Sequence, residues 1–342
     1  MRRHNGTYGA ADWVVWKTSA AFPSFWSHEA MKTARPLPDD FHGRPFTVVE
    51  AAAAGVSPKR LRHRSLAVLG KGIRSQSPTP GIPLSVRVRP FIEVNERCAA
   101  SHLTAAELGS LPVRRQKEGP PYHVIRPEGA AHLNRPHVMV HRMKLYDDEI
   151  TLLDGIPLTT PERTWLDLAE MLTVEELVVA GDSCVRVPRL EFEGRDMPLC
   201  SLGDLQRMID RHRGKRGIRK AREAIKLIRV GSDSPQESML RLAIVRGGLP
   251  EPELNVPIVD DAGTRHHEPD LSYRKYRIGI EYEGEQHCEE GQIVRDIARS
   301  ERYTALGWTE VRISNRHMHN DAKAAVAKVR AALVQAGWRP GR

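Results

Sequence analysis

The residues in this chain best suited to chemistry are three carboxylates, Asp270, Glu281 and Glu283, in the run EPDLSYRKYRIGIEYEG. Apolar and polar residues alternate there with period two, which predicts an antiparallel hairpin turning at Arg274 and Lys275. Asp270 then lies near the open end of the first arm, and Glu281 and Glu283 near the open end of the second. Their i, i+2 spacing puts the two glutamates on one strand face and Tyr282 on the other. Carboxylates pressed together repel and raise one another's pKa, so convergence calls for a cation. Oxygen-only ligands favour a hard divalent ion, Mg²⁺ or Mn²⁺, with Asp270 and Glu281 as its ligands. Such an ion activates water and stabilises the charge that develops when a phosphodiester is attacked. Carboxylates splayed on a solvated strand satisfy the same spacing.

Other groups stand where they can join this edge. Ser234 and Pro235 open a helix in which Glu237 falls at the third position, completing a capping box while aiming a carboxylate at whatever packs on the helix start. His287 follows the bend expected at Gly284 and is the candidate general base. Asp296, Arg299 and Arg302 fall at helical spacing in VRDIARSERYTALGW, so one helix face can aim guanidinium groups at phosphate, an intrahelical salt bridge being the plainer reading. GWTEVRIS closes the module as a strand.

Upstream elements would bring substrate to such a site. In FTVVEAAAAGVSPKRLRHRSLAVLGKGIRS an Ala-rich helix breaks at Gly55, and Ser57 with Pro58 starts a second, basic helix. That is helix-turn-helix grammar with a wing beginning at Gly70 to Ile73, and it directs Lys59, Arg60, Arg62 and Arg64 toward DNA. A helical hairpin with a basic solvent face has the same pattern. Arg207 to Arg229 holds ten basic residues against two acidic ones, a net of about +8. Lys215, Arg216, Arg219 and Lys220 there are further candidate phosphate contacts, on what reads as a linker helix. Between these regions, SPTPGIPLSVRVRP reads as a Pro-rich hinge, ERCAASHLTAAEL and TTPERTWLDLAEML as helices, and YHVIR and VMVHR as short strands. His102, His123 and His141 are dispersed along this stretch and read as structural residues.

The 342 residues exceed one ordinary core. The boundaries read as a flexible extension at 1–40, with Met31 as an alternative start, a helix-turn-helix region at 41–78, a mixed α+β region at 79–205, the basic linker at 206–231 and the acidic-site module at 232–342. A net charge of +9 favours an anionic partner, nucleic acid above all. No apolar run suits a membrane span, no signal peptide is legible, and Cys98, Cys184, Cys200 and Cys288 lack zinc-site or disulfide spacing. A cytoplasmic protein with free thiols is expected.

Pro269–Asp270, IEYEG, His287, RD-x-x-R and LGW-x-x-VRI, in that order, resemble the endonuclease-like PD-(D/E)xK domain related to very-short-patch-repair (Vsr) nucleases. The resemblance covers about Ser234 to Ser314. It implies a restriction-endonuclease-like αβ sandwich in which Asp270 and Glu281 hold Mg²⁺ and Glu237 and Glu283 support them. The wider superfamily has Lys where Glu283 stands, which leaves the general base unassigned. The helix-turn-helix, SHLTAAEL and DGIPLTTPERTWLDLA are similar to AbiEi-type antitoxin proteins, which implies an N-terminal winged helix that binds DNA. No nucleotidyltransferase motif is present, so a toxin, like a repair partner, would be a separately encoded chain. The expectation is an α/β multidomain, metal-dependent DNA endonuclease; the alternative is a non-catalytic DNA-binding regulator or antitoxin on a nuclease-like scaffold.

Overall fold

The computed structural model describes residues 35–340 apart from 77–80, 96, 114–120, 131–132, 190–192, 261 and 284–289. The chain divides into two compact units, one of Lys32–Pro235 and the other containing Gln236–Arg342. The first therefore unites the regions expected as helix-turn-helix, central region and linker.

The first unit opens with β1 (Pro45–Thr47), α1 (Val48–Ala53), α2 (Pro58–Leu61), β2 (Ala67–Gly70) and β3 (Ile73–Ser75), the strands forming an antiparallel sheet in the order β1-β3-β2. Thr47 and Glu50 form a capping box on α1, and Ser57 with Pro58 starts α2 as expected. The basic second helix, however, is one turn long. Leu37, Phe41, Phe46, Leu61 and Leu66 share a small core, so the packed structure begins within the segment read as a flexible extension.

α3 (Leu84–Glu93) takes the second half of the expected hinge and holds Pro90 in its interior. Burying Val88, Phe91 and Ile92, at about 1.5–3 kcal/mol for each large apolar side chain, outweighs the local cost of the proline. β4 (Ala99–Ala100) and α4 (His102–Leu108) follow, so the expected helix from Glu96 is a strand in its first part. β5 (Tyr122–Pro127), β6 (Val138–Met143), β7 (Ile150–Leu153) and β8 (Ile156–Thr159) complete a mixed sheet in the order β6-β5-β4-β8-β7, with β5 parallel to β6 and β4 parallel to β8.

α5 (Pro161–Leu168), α6 (Val174–Val185), α7 (Leu202–Arg211) and α8 (Ile218–Ala224) finish this unit. The expected linker helix is thus two packed helices. Its charges explain the difference, because several point inward: Lys215 lies 3.1 Å from buried Asp167, and Lys220 donates to the Leu172 carbonyl. Arg163, wholly buried on α5, pairs with Glu149 and with Asp167 at 3.0 Å, and His212 sits 2.6 Å from Glu149. Gly217, at φ 82°, seals the join: a Cβ there would lie 2.5 Å from the Ala169 backbone. Cys98, Cys184 and Cys200 are free and buried.

The second unit runs α9 (Pro235–Arg246), β9 (Glu253–Leu254), β10 (Leu271–Tyr273), β11 (Ile278–Glu283), α10 (Glu290–Ala305), β12 (Thr309–Ser314) and α11 (Asn315–Gln335), the last broken by non-helical backbone at His319–Ala322. Its sheet order is β12-β11-β10-β9, antiparallel except for the parallel β11/β12 pair. The expected hairpin is present, turning through a 3₁₀ turn at Arg274–Tyr276. Ile278 and Ile280 enter a core with Leu240, Ile244, Ile313 and Val329, while Tyr282 packs at its border. The alternate residues Gly279, Glu281 and Glu283 therefore occupy the opposite face.

Candidate active site

Three elements bring acids together in the second unit. Asp270 immediately precedes β10, Glu281 lies on β11 and Glu237 on the first turn of α9. Glu237 and Glu281 are each only 6% exposed. Burial, the Glu237 carboxylate and then Glu281 push Asp270 up to about 7, although the Tyr282 amide donates to its Oδ2 at 2.7 Å. A backbone donor alone would hold it low, so burial and like charge prevail. Asn255 donates to Glu237 at 3.2 Å and ties the helix acid to the strand end.

Glu281 has two further partners. His267 Nε2 lies 2.6 Å from Oε1, and the Tyr303 hydroxyl of α10 donates to the same oxygen at 2.5 Å. Burial and Glu281 push the Tyr303 phenol well above its ordinary range, keeping it a donor. Gly279 makes this possible: a Cβ there would lie 2.3 Å from the Tyr303 hydroxyl. The His267 ring is partly exposed and meets Tyr303 edge-on, with centroids 5.7 Å apart. Neither His267 nor Tyr303 was singled out by spacing. His267 stands three residues before Asp270 in HHEPD, and that proximity was its available signal.

Glu283 shares the Glu281 face but meets a different environment. Arg312 donates to its Oε1, and Arg299 lies 3.4 Å from the same atom. Arg299 also donates to Glu310 at 2.9 Å, so its guanidinium is engaged by two acids rather than turned to a phosphate. His287 and the Asp296 side chain lie outside the described residues.

The basic candidates also divide. Lys59, Arg62, Arg64, Arg216 and Arg219 are exposed. Arg60 is 8% exposed and donates to the Arg35 carbonyl at 2.6 Å and to Ser65 at 3.0 Å; it braces the small core. Lys215 and Lys220 are likewise held inward by Asp167 and the Leu172 carbonyl. These three correct the DNA-contact expectation: a residue reading "basic" in a helical run still has an inward side.

The histidines read as dispersed structural residues form a cluster. His102, His123 and His141, far apart along the chain, meet in space in the first unit, with one ligand nitrogen of each within 4.8 Å of the others. Glu170 adjoins them, 2.9 Å from His102 Nε2 and 3.6 Å from His141 Nδ1.

These elements define an α/β protein, with eleven α-helices and three sheets among the described residues. No family model matches the chain. It is 30% identical over 156 residues to the uncharacterized protein Rv2248 of Mycobacterium tuberculosis strain ATCC 25618 / H37Rv and equally to the uncharacterized protein MT2308 of strain CDC 1551 / Oshkosh. Each match covers 45% of this chain and 54% of the relative, so the chain spans about half the length of the curated relatives it matches. Among solved structures, the Rv2827c protein of Mycobacterium tuberculosis is similar over 57% of this chain and 74% of its own, at 16% identity and a TM-score of 0.35. No helix among the described residues is long and apolar enough to cross a membrane.

Proposed function

We propose that the second unit is a metal-dependent endonuclease domain hydrolysing DNA phosphodiesters, built as a restriction-endonuclease-like αβ sandwich of the very-short-patch-repair type. The observation that carries this reading is Asp270, a carboxyl pushed up to about 7 by burial and by Glu237 and Glu281 arriving from two other elements. Acids so placed are poised to gain from a cation.

The donor set fits Mg²⁺ or Mn²⁺: Asp270 and Glu281 would hold the ion and Glu237 would support it, all through oxygen. Bound there, the ion supplies Lewis-acid stabilisation of phosphate charge and a more acidic water. Glu281 is oriented by Tyr303 and His267. His267, partly exposed, donates its Nε2–H to Glu281, which leaves Nδ1 to take up a proton, and in this reading it takes the general-base role first sought at His287. Glu283 positions Arg299 and Arg312 at the strand end. In the first unit, β1, α1, α2 and the β2/β3 hairpin form a winged helix in this reading. Exposed Lys59, Arg62 and Arg64 are its phosphate contacts, and exposed Arg216 and Arg219 at α8 are further ones.

The test uses wild type, Asp270→Ala and Glu281→Gln with duplex, nicked, mismatched and single-stranded DNA, in Mg²⁺, Mn²⁺ or chelator. Metal-dependent cutting lost in both variants supports the nuclease. Duplex binding without cutting in any metal would replace it with a DNA-binding regulator or antitoxin, whose toxin or other partner is a separate chain.

A further inference from the structure

We infer that His102, His123 and His141 form a second metal site, in the first unit, that takes a borderline transition-metal cation, zinc, through three imidazoles. The fold assembles it from three elements. β5 and β6 are parallel, with His123 opposite Met139 and Ile125 opposite His141, so the two histidines are diagonal neighbours on one sheet face. The His123 amide donates to Thr104 of α4 at 2.8 Å, which fixes that helix over the strands and brings its first residue, His102, onto the pair.

The rings are close. His123 Nδ1 lies 2.9 Å from His141 Nε2, and the His102 and His141 rings stack with centroids 3.6 Å apart. The side chains of His102 and His141 are 0% and 13% exposed. His102 holds φ +49°, an uncommon conformation for a residue other than glycine. A core that merely needed filling has cheaper solutions than three packed imidazoles.

Glu170 stands where a carboxylate commonly fixes ligand histidines, 2.9 Å from His102 Nε2 and 3.6 Å from His141 Nδ1. His141 Nδ1 faces the Glu170 carboxylate, and the tautomer that carries its proton on Nδ1 leaves Nε2 as a lone-pair donor, facing His123 Nδ1. One proton now bridges those two nitrogens; a cation would replace it and use both. Two nitrogens bound tetrahedrally at about 2.0–2.1 Å from zinc lie roughly 3.3 Å apart, so the pair opens by a few tenths of an ångström. His102 donates from Nε2 to Glu170, so its ligand nitrogen is Nδ1, now 3.0 Å from the Ser101 hydroxyl; the stacked ring must release that bond and tilt to reach the same point. Imidazoles without thiolates suit zinc and its neighbours rather than Mg²⁺, which separates this site chemically from the acids around Asp270. Partial exposure of His141 and Glu170 leaves an approach for the ion and for water as a fourth ligand.

The full-length chain, free of any histidine tag and stripped with chelator, would be titrated at about pH 7.5 with Zn²⁺, and with Co²⁺ as a spectroscopic probe. One zinc retained per chain after gel filtration and the intense visible bands of tetrahedral Co²⁺ are expected. His141→Ala should abolish retention, Glu170→Gln should weaken it about 10- to 100-fold, and Asp270→Asn should leave it unchanged. Circular dichroism establishes that the variants fold. A wild type that retains no zinc overturns the inference and needs no variant to do so. So does a folded His141→Ala, or a His141→Gln used if the alanine variant fails to fold, that binds as tightly as wild type.

Discussion

Replacing Asp270 by Asn should make this protein more stable at alkaline pH, and by an amount that shrinks as the pH falls. Unfolded, the carboxyl titrates near 3.8; folded, near 7. Between those values the native chain keeps a proton that the unfolded chain has released. The stabilisation from that proton is complete below about pH 4 and is lost as the pH rises through about 7. The interval corresponds to about 4 kcal/mol at 1.36 kcal/mol per pH unit. Asp270 is partly rather than wholly buried, so about 2–4 kcal/mol is expected at pH 8. Asn removes the charge while its Oδ1 can still accept from the Tyr282 amide. Urea unfolding of wild type and variant from pH 4 to pH 8 measures the gap, and Mg²⁺ should narrow it by stabilising the wild type alone. Equal stability across the range, or a gap that widens toward acid, would refute the argument that burial and the neighbouring acids govern this site.

Four other substitutions test separate parts of the structure. Arg60→Ala should cost about 1–3 kcal/mol through its lost bonds to Arg35 and Ser65 and leave the salt dependence of DNA binding unchanged, whereas Arg62→Ala should stay within about 0.5 kcal/mol in stability and lower the salt slope by about one. Denaturation and binding titrations over a salt series separate the two. Gly279→Ala should cost about 1–3 kcal/mol and push Tyr303 off Glu281, read as lower stability with a downward shift of the tyrosine titration in ultraviolet absorbance. Arg163→Ala should lose about 3–5 kcal/mol, because Glu149 and Asp167 would stay buried with fewer partners; thermal unfolding measures it.

Where local rules and packing agreed, elements were legible in advance: Ser57–Pro58 and Thr160–Pro161 at helix starts, YHVIR and VMVHR as strands, and the β10/β11 hairpin. Where tertiary packing overrode local preference, they were not. The proline-rich stretch before Phe91 forms α3 because Val88, Phe91 and Ile92 are buried together, and the segment from Glu96 gives two residues to β4 because the five-stranded sheet needs a centre. Charge was similarly ambiguous. The Arg207–Arg229 run reads as one solvated surface until Lys215 and Lys220 find Asp167 and the Leu172 carbonyl inside the fold.

The two clusters of chemically capable residues differ in legibility for a geometric reason. Asp270, Glu281 and Glu283 belong to a single hairpin, whose period and turn are local properties, so their convergence at one edge follows from the chain itself. What the hairpin could not reveal is that Glu283 turns to Arg312 and Arg299, since those residues come from β12 and α10. The histidines need still more. His102, His123 and His141 meet only because β5 and β6 pair in parallel, a register set across a connection rather than by a turn, and because α4 lies over both. Parallel pairing leaves no short-range mark in sequence. Dispersal along the chain is therefore a weak guide to whether histidines meet: the distance that counts is between partners in a register the chain does not state locally.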